Sequence, residues 1–134
     1  VENPEVASLG DLPNVELTGE VPFHELPAHL AEFDVGLIPF RVNELTRATN
    51  PIKLYEYFAC GLPVVSSALP EVLQFGDLVY AGGDFAGQLS RAAAESDPLK
   101  ESRRMEVARK ESWDARAGTL RDLARDLLEK SRTR

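Results

Sequence analysis

Short apolar runs alternate with stretches of helical spacing along most of the chain. Val15 to Thr18 is a β-prone run that Gly19 ends, and Leu26, Leu30 and Phe33 then recur at spacings of four and three. That spacing predicts a short helix with Pro27 in its first turn. Asp34-Val35-Gly36-Leu37-Ile38-Pro39-Phe40 predicts a buried strand ending near Pro39. A polar loop from Phe40 to Asn50 leads into a helix over Pro51 to Cys60, with Gly61 in the C′ position. Pro63 to Ser67 and Leu78 to Tyr80 predict two further strands. Gly82-Gly83-Asp84 turns into an Ala-rich helix that Asp97-Pro98 ends, while Val1 to Gly10 reads as loop. Met105, Ala108, Trp113, Leu120, Leu123, Ala124, Leu127 and Leu128 fall largely at helical spacings and predict a helical tail. Strands without polar alternation, separated by helices, predict an α/β fold: a Rossmann-like parallel sheet with helices on both faces.

Composition narrows this picture. The 134 residues suit one domain, 43% of them are apolar, and no run approaches the roughly 18 apolar residues of a membrane span. A single cysteine, Cys60, excludes a disulfide framework within the chain, and a net charge of −7 argues against a general nucleic-acid binder. Charge is unevenly placed. Residues 1–98 hold 15 acids and four bases, Arg41, Arg47, Lys53 and Arg91, whereas residues 99–134 hold 11 bases and seven acids. Three of those four bases lie between positions 41 and 53, a local positive cluster that suggests an anionic ligand such as phosphate. The alternating charges of the tail read as a solvated face. The chain opens with Val1 and carries no signal-peptide pattern, so it reads as a segment of a longer protein, truncated at its N-terminus. The expected location is cytoplasmic, with any association with the inner face of the membrane made through parts outside this segment.

In open parallel sheets ligands sit beyond the carboxyl ends of the strands. The loop after the Asp34–Phe40 run feeds a helix start suited to an anion: Asn50 as N-cap, Pro51 in the first helical position, then the free amides of Ile52 and Lys53. Cations ordinarily avoid that position, so Lys53 there suggests a negative partner. Lys53, Glu56 and Tyr57 share a face at i, i+3 and i+4, while Ile52, Leu54, Tyr55, Phe58 and Ala59 cover the rest with apolar surface. The polar stripe reads either as an i, i+3 ion pair or as a ligand face. His24 and His29, five residues apart, read as surface or packing residues, and Cys60 as a small core residue. Gly82 to Gly87 reads as a strand-to-helix turn, without the spacing of a phosphate loop. Glu71 reads as a helix-start acid or a donor-sugar contact.

Asn50-Pro51-Ile52-Lys53-Leu54-Tyr55-Glu56-Tyr57-Phe58-Ala59-Cys60-Gly61-Leu62-Pro63-Val64-Val65 resembles the donor-nucleotide motif of GT-B glycosyltransferases. Pro13 to Gly19, Asp34 to Arg41, and Ser112-Trp113 with the helix after it are similar to other parts of the same domain, so the likeness covers nearly the whole chain. The resemblance implies that residues 1–134 are the C-terminal nucleotide-sugar-binding domain, an incomplete C-terminal half of a GT-B fold, and that the acceptor domain is absent. It implies that Glu56 binds the donor's ribose hydroxyls, that Asn50 to Lys53 hold the diphosphate, and that the turn from Gly19 through Glu20 and Val21 to Pro22 lies near the base; Arg41 and Arg47 read either as steering phosphate or as solvated. The implied activity, for the whole protein, is transfer of a sugar from a nucleoside diphosphate sugar, with no protein-bound metal or other cofactor. A sugar-nucleotide epimerase, or a Rossmann-like binding module without transfer activity, is the alternative. The implied partners are the nucleotide-sugar donor and the protein's own N-terminal domain, without nucleic acid. Many retaining members carry a second glutamate eight positions before the one matched by Glu56, and here that position is Ala48, so stereochemistry and the catalytic residues stay open.

Overall fold

The computed structural model describes residues 4–132. In chain order it forms α1 (Pro4–Ala7), a 3-10 turn (Ser8–Asp11), α2 (Leu26–Leu30), β1 (Gly36–Ile38), α3 (Glu44–Arg47), α4 (Ile52–Ala59), β2 (Val64–Ser66) and α5 (Pro70–Leu73). A second 3-10 turn (Gly76–Leu78), β3 (Val79–Ala81), α6 (Phe85–Ala93), α7 (Pro98–Lys110) and α8 (Trp113–Arg132) follow. The strands make one parallel sheet in the order β1-β2-β3. Gly36, Val64 and Val79 stand in one row across it, Leu37, Val65 and Tyr80 in the next, and Ile38, Ser66 and Ala81 in the third. Parallel neighbours require crossovers, which α4 and α5 supply.

The register divides the side chains between two faces. Ile38, Val64 and Val79 belong to the main core with Leu54 and Phe58 of α4, Leu69, Val72 and Leu78, and α7 adds Val107 and Ala108. Phe75 packs edge-on against Phe58, ring centres 5.5 Å apart. Val65 is buried outside that cluster, as is Ala92 of α6, and Arg91 of α6 stands over the Tyr80 ring. Helix α6 therefore covers the second face, giving the Rossmann-like α/β arrangement expected.

Helix ends follow local chemistry. Asp84 and Asp97 cap α6 and α7 by accepting from the amides two and three residues on, and Pro98 opens α7. Gly61 ends α4 at φ +74°, a left-handed conformation that glycine adopts without strain. The Gly61 amide donates to Phe58 O and the Leu62 amide to Tyr57 O, the double closure of a Schellman motif.

Arg104 of α7 is fully buried. Its Nε donates to Leu78 O at 2.9 Å and its Nη1 to Gly61 O at 3.3 Å, while both terminal nitrogens grip Glu95, at 2.6 and 2.8 Å. The Tyr80 hydroxyl donates to the same carboxylate at 2.8 Å, and Lys100 lies 3.7 Å away. Burial alone would raise the Glu95 pKa, but hydrogen bonds from Arg104 and Tyr80, with the nearby positive charges, hold it below the usual carboxylate range.

Several expectations are corrected. Val15 to Thr18 forms no strand: a strand needs a neighbour, no described segment pairs with it, and the Val15 amide instead closes a turn onto Leu12 O. Of the stretch Val1 to Gly10, read as loop, residues 4–10 fall in α1 and the 3-10 turn that follows it; residues 1–3 lie outside the described residues. Helix α4 starts at Ile52 with Pro51 as N-cap, so Asn50 does not cap it. Ile52, Ala59 and Cys60 are exposed, because Leu54, Tyr57 and Phe58 are the side chains of α4 that pack toward the sheet; Cys60 is no core residue. The tail divides at Glu111–Ser112 into two helices, and the apolar stripe of the second, including Leu120, Leu123, Leu127 and Leu128, is exposed.

Breaking a buried charge pair leaves its partner uncompensated, so Arg104→Met is expected to lose about 3–5 kcal/mol in urea denaturation at pH 7. A loss under about 1 kcal/mol would show that the guanidinium does not hold α7 to the sheet. A carboxylate with a lowered folded-state pKa contributes stability above its unfolded value, near 4.3, and loses it as pH falls through the folded value. Glu95→Gln is therefore expected to be less stable at pH 7 and to lose less further stability on acidification than the wild type, as acid titrations followed by circular dichroism would read.

Candidate active site

A cleft of about 840 Å³ opens between α4 and the segment running from Thr18 through α2. That size lies within the ordinary range of small-molecule sites. One wall is the polar stripe of α4: Lys53, Glu56 and Tyr57. The other combines the turn Thr18, Gly19, Glu20, Val21, Pro22 and Phe23 with Leu26, His29, Leu30 and Phe33. Gly19 makes the turn at φ +70°. Phe23 is 84% exposed at the rim, whereas Leu30 is buried. The cleft is thus charged along one side and largely apolar along the other.

Lys53 Nζ lies 3.1 Å from Glu56 Oε2. The lysine side chain is 55% exposed and the glutamate 19%. The two form an i, i+3 ion pair, and Oε2, buried, makes no hydrogen bond. A carboxylate oxygen shielded from water that makes no hydrogen bond has acceptor capacity to spare. Beside it, burial raises the Tyr57 pKa and Glu56 adds to the rise, while Lys53 and the Leu37 carbonyl oppose it. At the start of α4 the Leu54 amide is the first to bond back, to Pro51 O at 3.0 Å, leaving the Ile52 and Lys53 amides without a backbone acceptor. No acid stands in this first turn.

Gly19, Glu20, Val21, Lys53 and Glu56 therefore line one cleft, although the first three lie more than 30 positions from the others. Asn50, Arg41 and Arg47 do not line it. Asn50 turns its amide nitrogen to the Tyr55 hydroxyl at 3.2 Å. Arg41 and Arg47 are exposed on the loop around α3, which Asn43 and Thr46 stabilise as a capping box. Glu71 stands in the first turn of α5 and accepts from Gln74 at 3.1 Å, away from the cleft. His24 is exposed, but His29 reaches the cleft wall, as do Leu26, Leu30 and Phe33. Their spacing marked a helix face; that the face lines an open cleft instead of a closed core depends on what stands opposite. Among the described residues no group of three His, Cys, Asp or Glu side chains could hold a metal ion, and no helix is long and apolar enough to cross a membrane.

A parallel sheet with helices on both faces defines a Rossmann-like α/β domain. The chain belongs to the family described as glycosyl transferases group 1, whose model matches residues 2–95. It is also 30% identical, over 112 residues, to a Bacillus subtilis (strain 168) protein named "Putative teichuronic acid biosynthesis glycosyltransferase TuaH". That match takes in 77% of this chain but only 28% of the relative's length. No solved structure matches the chain significantly.

An i, i+3 ion pair contributes a few tenths of a kcal/mol, and a cation in a first helical turn costs about as much. Lys53→Met is therefore expected to change stability by less than about 0.5 kcal/mol, measured by urea denaturation. A loss above about 1 kcal/mol would make Lys53 a structural residue.

Proposed function

We propose that the chain is the donor-binding part of a GT-B glycosyltransferase, and that Glu56 holds the ribose of a nucleoside diphosphate sugar. The observation that carries the reading is the buried Oε2 of Glu56 on the cleft wall, which is ion-paired with Lys53 but makes no hydrogen bond. An ionised carboxylate only accepts, and the adjacent hydroxyls of a ribose are donors suited to its two oxygens. Lys53 and the open amides of α4 stand one turn away and would meet the diphosphate, stabilising negative charge as the sugar leaves without requiring a protein-held metal. Asn50, Arg41 and Arg47 would approach the phosphates when the loop around α3 is engaged. The base would lie along the apolar wall near Gly19, Glu20 and Val21.

The whole protein would transfer the sugar to an acceptor bound by a further domain, on the cytoplasmic side of the membrane. The match to 28% of a longer relative supports this division. The 134 residues alone would bind a nucleoside diphosphate weakly and transfer nothing.

The test compares wild type and Glu56→Ala, each titrated calorimetrically with UDP, GDP and ADP and with their 2′-deoxy forms. Losing one hydroxyl–carboxylate bond costs roughly 1–3 kcal/mol, so the deoxy penalty of the wild type should largely vanish in the mutant. A full penalty persisting in a folded mutant would assign the ribose to another residue. Lys53→Ala should weaken the diphosphate by roughly 1.5–3 kcal/mol while sparing the bare nucleoside; equal losses for both would point to damage of the helix.

A further inference from the structure

We infer that Gly36 and Tyr57 together are the positioning contact for Glu56: the space left by the absent side chain of Gly36 seats the Tyr57 ring, and that seat sets how deep the Glu56 carboxylate lies in the cleft. The inference rests on the reading of Glu56 as the ribose ligand. Gly36 is buried at the start of β1, and its φ lies outside the left-handed region, so backbone freedom does not explain a glycine there. Space does. A Cβ at position 36 would stand 2.4 Å from Tyr57 Cδ2, 2.5 Å from Cγ and 2.8 Å from Cε2, where ordinary contact begins at 3.4 Å. Cγ is at the root of the ring, so this contact cannot be relieved by swinging a flexible tip away.

Both sides of the contact are held. The Gly36 amide donates to Pro63 O at 2.9 Å, and the residue pairs with Val64 across the sheet. Helix α4 is anchored through Leu54 and Phe58, both fully buried. The Tyr57 hydroxyl stands 3.5 Å from Leu37 O, at the limit of a hydrogen bond, so packing and not the hydroxyl holds the ring. Tyr57 is adjacent to Glu56 and shares the cleft wall with it. The carboxylate is ion-paired to Lys53, which rides on the same helix, and its Oε2 makes no hydrogen bond. Its depth in the cleft therefore follows from where the helix sits on β1. Because hydrogen-bond lengths span only about 2.7–3.2 Å, a helix displacement of about 1 Å would separate the carboxylate from a ribose hydroxyl.

The experiment measures, by calorimetry, the ratio of affinities for the best-binding of UDP, GDP and ADP and for its 2′-deoxy form, alongside thermal unfolding. The variants are Gly36→Ala, Tyr57→Leu, Tyr57→Phe, Tyr57→Ala and the double variant Gly36→Ala/Tyr57→Ala. The wild type is expected to favour the ribonucleotide by on the order of tenfold. Gly36→Ala and Tyr57→Leu should each bring that ratio to within about twofold of unity while remaining folded, and Tyr57→Phe, which keeps the ring, should retain it. Gly36→Ala should cause no further loss in the Tyr57→Ala background, where no Cγ remains against the methyl group.

If the unfolding temperature falls but the ratio stays at the wild-type level, the contact is structural only and the positioning role is wrong, with the Glu56 reading intact. Should Gly36→Ala not fold, Tyr57→Leu decides by the same criterion. A wild type that binds nucleotide without favouring the ribose would overturn the Glu56 reading and the positioning role together.

Discussion

The buried guanidinium of Arg104 is the constraint on which the arrangement depends. A charge removed from water must be compensated where it stands, and here Glu95, Leu78 O and Gly61 O compensate it from three parts of the chain. One side chain of α7 thereby ties the loop after α6, the approach to β3 and the C-terminal turn of α4. Tyr80 adds a hydrogen bond to Glu95 and receives Arg91 and Lys100 over its ring. The fixed geometry of the guanidinium makes this an orienting device as much as a stabilising one.

The consequence for the cleft runs along α4. Its C-terminal end is held by the Schellman closure at Gly61, whose carbonyl Arg104 also engages. Its middle is held by Leu54 and Phe58 in the core, and its cleft side by the Tyr57 ring against Gly36. With the helix fixed at these points, Lys53 and Glu56 stand on the cleft wall while neither contributes much to holding the helix there. Separating the groups that fix the helix from those that face the cleft allows a carboxylate oxygen to remain unsatisfied without loosening the fold.

Much of this was legible in the residues alone. The three runs around Leu37, Val65 and Tyr80 marked parallel strands because they lack polar alternation, and Gly61 marked a helix end because only glycine adopts φ +74° without strain. The Lys53–Glu56–Tyr57 stripe follows from helical spacing, which is local and needs no partner. Asp84 as the start of a helix is legible for the same reason.

What the sequence could not decide is whatever depends on a distant partner. Val15 to Thr18 has strand-forming residues but no described neighbour to complete its hydrogen bonds, and a strand does not form without one. Cys60 and the Leu stripe of α8 look like core by composition yet are exposed, since an apolar face is buried only where something stands opposite. Arg104 was one base among 11 in a charged tail until the fold surrounded it with acceptors. The cleft, likewise, required Gly19 to Phe23 and α2 to be brought across from α4, which propensity and spacing do not encode. Local geometry determined the helices, their ends and the polar stripe; long-range packing alone decided which side chains are buried and which face the cleft.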